Sequence, residues 1–139
     1  MFEKILVAND GSPGGFKALD AALDLAGRLT TGLTMVCAEN IARYPSVIDI
    51  VPPAQSEIRS PFDGVVDEAK ARAKAKGVAF EAEIVAGHPV PRIVEYIEKG
   101  GYDLLIVGFM GHSALYKTLI GSNADRLVTL APCKVMVVK

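Results

Sequence analysis

The sequence predicts a doubly wound α/β domain: a five-stranded parallel sheet in the order 3-2-1-4-5, Rossmann-like, with helices on both faces. Three observations lead there. Five short strand-like runs, near residues 4–8, 33–38, 78–86, 103–107 and 134–138, are separated by segments with helical features. Most of these runs are apolar nearly throughout, as strands covered on both faces must be. Strands alternating with helices pair in parallel through right-handed crossovers. The 139 residues, half of them hydrophobic, make a single domain over 1–139 with enough surface to bury a core.

Lys4 to Ala8 is the first strand, and it ends in the polar turn Asn9-Asp10-Gly11-Ser12-Pro13. Pro13 suits the first position of a helix. Phe16, Leu19, Leu23, Ala26 and Leu29 then fall on one helical face, and Gly32 is the expected stop. Leu33 to Ala38 reads as the second buried strand. Residues 39–59, with Pro45, Pro52 and Pro53 among branched apolar residues, read as a flexible flap.

Ser60-Pro61-Phe62-Asp63 predicts a helix start, with Ser60 capping and Pro61 in the first position. Glu68 and Arg72 pair at i,i+4, and Gly77 ends the helix. Its Lys/Arg run reads as a solvated face. Val78 to Ala86 alternates, so the third strand belongs near a sheet edge. Gly87-His88-Pro89 turns the chain, with His88 a turn residue. Ile93, Val94 and Ile97 form the inner face of a short helix closed by Gly100-Gly101. Asp103 to Val107 is the most apolar strand and should be central. A last helix opens at Gly121-Ser122 and runs to Ala131, and the closing strand is Lys134 to Val138.

Composition excludes several functions. Formal net charge is −1 and 22% of residues are charged, so no basic field exists for a nucleic acid. No apolar run approaches the roughly 18 residues of a membrane span. MFEKILVAND carries charge early and does not read as a signal peptide. Cys37 and Cys133 stand far apart without CxxC or His spacing. They read as reduced thiols rather than zinc ligands. The expected location is the cytoplasm.

Ligands of doubly wound sheets bind at the carboxyl ends of the strands, where strand order reverses. In this order that point lies between strands 1 and 4, so Ala8 to Gly11 and Gly108 onward face the crevice. A dinucleotide fingerprint is absent there, because Pro13 stands where GxGxxG requires glycine. A P-loop is absent too. The segment Gly111 to Thr118 places Tyr116 where the second glycine must cradle phosphate.

A third pattern is complete: Gly108-x2-Gly111-x9-Gly121-Ser122. Gly108 and Gly111 leave strand 4 with no side chain to block a ligand. The helix start at Gly121-Ser122 offers free N–H groups and a hydroxyl to an anion. Each charge-assisted bond of this kind contributes about 1.5–3 kcal/mol.

This G-x2-G-x9-G-[ST] spacing resembles the ATP-binding motif of the universal stress protein family. ILVANDGS, AGHPVPRIVEY, DLLIVG and APCKVMVVK resemble further family segments, so the similarity covers nearly the whole chain. The resemblance implies a cytoplasmic, usually homodimeric domain that binds ATP, with Mg2+ held through the phosphates. It places Asp10 near the nucleoside, and Ala8 and Val36 to Ala38 around adenine. Val107 and Gly108 fall beside the ribose, and Gly111, Gly121, Ser122 and Asn123 at the phosphates. His112 and Lys117 are nearby cations. Phe109 and Met110 depart from the family's usual small, polar or basic residues, in a place to cover or crowd the nucleotide. Asn123 replaces a usual apolar residue.

Plainer readings stand beside these. Asp10 and Ser122 would serve equally as helix-cap or turn residues. His112 divides between phosphate contact and exposed surface, and Phe109 and Met110 suit an interface or lid. The closing strand, Val135 to Val138, is an apolar sheet edge that a second copy would cover. The leading expectation is an adenine-nucleotide module of stress response or signalling, hydrolysing ATP slowly if at all, with a protein partner the sequence does not name. The alternatives are a dimeric interaction protein without nucleotide, and an ATPase working through Asp10 and a metal.

Overall fold

The computed structural model describes residues 2–39, 60–110 and 120–139. The elements are β1 (Ile5–Ala8), α1 (Pro13–Leu29), β2 (Leu33–Glu39), α2 (Asp63–Lys76), β3 (Phe80–Ala86), α3 (Pro89–Gly100), β4 (Leu104–Gly108), α4 (Ser122–Leu130) and β5 (Lys134–Val138). The sheet order is β3-β2-β1-β4-β5, as the sequence predicts, and every pair is parallel. Ile5 sits in register with Leu33 on one side and Leu104 on the other.

The two-period of a strand explains why the β1 run is apolar throughout. Ile5 and Val7 face a core made with Leu19 and Leu23 of α1 and Ala69 and Ala73 of α2. Leu6 faces the opposite core, with Ile93 and Ile97 of α3 and Leu127 of α4. Ile5, Leu6 and Val7 are all buried. β3 is an edge strand, which accounts for its alternating composition.

Two boundaries differ from expectation. Thr30, not Gly32, ends α1: its φ is 53°, and its N–H donates to the carbonyls of Ala26 and Gly27. Leu29, expected on the inner face, is 45% exposed because it lies in that last turn. Ser60 does not cap α2, whose first residue is Asp63. Its hydroxyl accepts from Phe62 N at 3.1 Å and its carbonyl from Asp63 N at 2.9 Å. This local bonding makes a turn through Pro61, so the helix begins later. Gly77 does end α2, with φ at 67°.

Of the flap expected over residues 39–59, Glu39 closes β2, and 40–59 lie outside the described residues. Among the described residues, no helix is long and apolar enough to cross a membrane.

Candidate functional site

β1 and β4 are adjacent, yet the chain leaves them in opposite directions, toward β2 and toward β5. That reversal opens a crevice at their carboxyl ends. It is a cavity of about 630 Å3, within the usual size range of ligand sites.

The β1–α1 turn forms one wall and is held by its own side chains. Asn9 Oδ1 accepts from Gly11 N at 2.9 Å, and Asp10 Oδ1 accepts from Ser12 N at 3.0 Å and from the Ser12 hydroxyl. Ser12 Oγ in turn accepts from Gly15 N at 3.0 Å and caps α1. Thus Ser12 is the cap, while Asp10 braces it and also lines the cavity. Gly11 takes φ 82°, a left-handed conformation that favours glycine.

The second wall is the exit from β4. Phe109 N donates to Val138 O at 2.8 Å, and Phe109 O accepts from Gly121 N at 2.7 Å. These two bonds fix the start of α4 against the end of the sheet. Gly121 is the N-cap residue, in extended conformation, and no side chain caps the helix. Ser122 is therefore the first helical residue and not the cap. Gly121, Ser122, Asn123 and Ala124 all line the cavity. Amides in a first turn lack an acceptor within their helix and carry the positive end of its dipole, so this wall suits an anion.

The third wall is apolar. Ala8, Val36 and Ala38 meet Pro61, Phe62 and Val65 there, with the Glu39 carboxylate at the same end. Its Oε1 accepts from the Ser60 hydroxyl at 3.1 Å.

Nine of the expected site residues therefore share one cavity: Ala8, Asp10, Val36, Ala38, Val107, Gly108, Gly121, Ser122 and Asn123. Gly111, His112 and Lys117 lie outside the described residues. The pair expected to cover or crowd the site divides. Met110 lines the cavity, whereas the Phe109 ring lies under the Lys139 ammonium, 5.4 Å from its centroid. His88 sits at the N-cap position of α3 without a side-chain cap bond, as a turn residue. Among the described residues no cluster of three or more His, Cys, Asp or Glu is placed to hold a metal.

Glu39, Phe62 and Val65 were not expected at the cavity, whereas Asn9 belongs to the Ala8 to Gly11 stretch expected to face it. Asn9 is 2% exposed, and its Nδ2 donates to Met35 Sδ at 3.6 Å. Phe62 and Val65 stand three apart at the start of α2, the spacing of an inward helical stripe. Cys37 is buried in β2 and is not part of the cavity wall. Burial first, and Asp10 second, push its thiol up to about 12.

The fold and crevice define a small doubly wound α/β protein with an anion-favouring cavity at its switch point. The chain belongs to the universal stress protein family, whose model matches residues 1–139. It is 32% identical to Universal stress protein YxiE of Bacillus subtilis, covering 100% of both chains. Among solved structures it resembles hypothetical protein MJ0577 with a TM-score of 0.85 at 23% identity, over 100% of this chain and 96% of that one. It also resembles a universal stress protein solved in complex with cAMP, with a TM-score of 0.74 at 27% identity, over 99% and 96%.

Proposed function

We propose that this chain binds an adenine nucleotide, ATP with Mg2+, in the β1–β4 cavity, and that the bound state serves stress response or signalling. The observation that carries the reading is the position of the α4 N-terminus. No side chain caps it, and it opens onto the same cavity as Gly108 and the apolar wall of β2. Phosphates sit on the first-turn amides and the Ser122 hydroxyl, with Asn123 beside them. Val107 and Gly108 lie beside the ribose, Asp10 accepts from its hydroxyls, and the base lies among Ala8, Val36 and Ala38.

The cAMP complex of a relative with the same fold supports an adenine ligand. Mg2+ is held through phosphate oxygens. Hydrolysis is slow, since Tyr116 stands where a P-loop requires its second glycine and the sequence carries no P-loop lysine motif. Two copies pair along β5, an edge strand on which Met136 is 37% exposed. Light scattering at tens of micromolar gives the dimer mass in this reading, and a monomer mass removes the pairing.

Isothermal titration with ATP and Mg2+ tests the central reading. Saturable heat at one nucleotide per chain is expected. No heat, with no nucleotide released from the purified protein on denaturation, overturns it.

A further inference from the structure

We infer that Arg72, which lies outside the cavity, is a positioning residue for it: its guanidinium clamps α2 against α1, and α2 is the cavity wall that opens and closes. The inference rests on the nucleotide reading of the cavity and adds its regulation, since occupancy of the cavity and docking of α2 strengthen each other.

The apolar hold on α2 is thin. α1 buries Leu19 and Leu23, and α3 buries Val90, Ile93 and Ile97, whereas the buried residues of α2 are Ala69 and Ala73. Phe62, Val65 and Val66 pack beside them only partly buried. Apolar stabilisation grows with the area removed from water, so an alanine methyl contributes far less than a leucine side chain. Elements with few buried apolar contacts are the first to open locally.

Arg72 supplies a polar hold. Its Nη1 donates to Asp20 Oδ1 at 3.0 Å and Oδ2 at 2.9 Å on α1, and its Nε donates to Glu68 Oε1 at 2.9 Å. The guanidinium also lies over the Phe16 ring, 4.6 Å from its centroid. Phe16 and Asp20 stand four apart, so the clamp grips one turn of α1. Glu68, on α2 itself, aims the guanidinium. A planar guanidinium pairs and stacks at once, as an ammonium does not. The Asp20 and Glu68 side chains are 50% and 53% exposed, so salt loosens the clamp.

The clamp and the cavity share one face of α2. Val65, Ala69 and Arg72 follow the i, i+4, i+7 spacing of a helical stripe. Val65 lies about 10 Å ahead of Arg72 along the axis. Arg72 therefore holds the rear of the helix, while Phe62 and Val65 at its front line the cavity. The front itself is tied to the sheet by the Ser60 hydroxyl on Glu39 Oε1. An occupant that touches Phe62 and Val65 adds apolar contact available only while α2 is docked. Such a ligand favours the docked helix, and by reciprocity the docked helix binds the ligand more tightly.

The test is hydrogen exchange of the intact chain, read by mass spectrometry, alongside isothermal titration with ATP and Mg2+. In the free chain the α2 amides are expected to exchange faster than those of α1 and α3, and faster again at about 0.5 M salt than at about 0.05 M. Arg72→Gln and Asp20→Asn should each speed α2 exchange about two- to fivefold, and the double variant no more than either alone. Arg72→Gln should also lose the salt response and bind ATP about twofold more weakly. Saturating ATP should slow α2 exchange in the wild type. Exchange in α2 as slow as in α1 overturns the inference. So does an Arg72→Gln variant whose ATP affinity is unchanged, or whose helices all exchange faster together, which marks a loss of global stability. Absence of ATP binding by the wild type overturns the nucleotide reading instead, and the free-chain exchange of α2 still decides whether Arg72 is its clamp.

Discussion

Gly108 and Gly14 meet backbone to backbone: a Cβ built on Gly108 would lie 2.5 Å from the Gly14 carbonyl oxygen. The contact joins the end of β4 to the first turn of α1. It extends one step further, since a Cβ on Gly14 would lie 1.9 Å from Met110 O. Both neighbours are backbone atoms, which cannot swing aside as a side chain can. The crevice walls are therefore set by two glycines that exclude side chains from the seam.

Gly108→Ala accordingly separates α1 from β4. The expected loss is about 1–3 kcal/mol of folding stability, the usual cost of overpacking, read as a lower urea midpoint. Nucleotide affinity should fall with it, because Gly108 also lines the cavity. An unchanged midpoint would show that the seam is more yielding than its geometry indicates.

Two other glycines separate backbone strain from crowding. Gly11 holds φ at 82° and has Val65 Cγ2 at 3.0 Å from a built Cβ, whereas Gly64, in the first turn of α2, has nothing within 4 Å. Gly11→Ala should cost about 1–2 kcal/mol. Gly64→Ala should be neutral or stabilise by up to about 1 kcal/mol through helix propensity. Thermal unfolding of the two variants side by side checks the opposite signs.

Cys37 should resist chemistry that Cys133 undergoes. The Cys37 thiol is buried and raised to about 12, so almost no thiolate forms near pH 8. Cys133 is partly exposed, and its thiol is raised as well, chiefly by desolvation. A disulfide reagent should titrate one thiol in the native protein and two after denaturation. The same shift gives a pH dependence. The unfolded thiol ionises near 9.0 and the folded one near 12, so the folded state holds its proton longer. Its contribution is fully present below about pH 9 and is lost as pH rises toward 12. Chemical denaturation across that range should show the decline in the wild type and a shallower one in Cys37→Ala.

Much of this was legible in the sequence, for physical reasons. A strand buried on both faces leaves no polar positions, so Ile5, Leu6 and Val7 announced a parallel sheet. The strand–helix alternation then fixed the crossovers, and the glycines after β4 marked a close approach that the Gly14 contact makes explicit. Helix ends were less legible, because they depend on which local bond wins. Thr30 accepted a left-handed conformation ahead of Gly32, and the Ser60 hydroxyl took the nearest amide. Glu39 escaped for a different reason. Its place comes from contacts with Ser60 and Gly87, and no spacing along the chain encodes those.

The central claim is that a nucleotide lies from the α4 terminus to the end of β2. Amide chemical shifts followed by NMR during an ATP–Mg2+ titration test it most directly. Saturable shifts concentrated at Gly108, Ser122, Asn123 and Ala124, and at Val36, Ala38 and Glu39, are the predicted result. No saturable shifts, or shifts centred on β3 and the outer face of α2, would contradict the account.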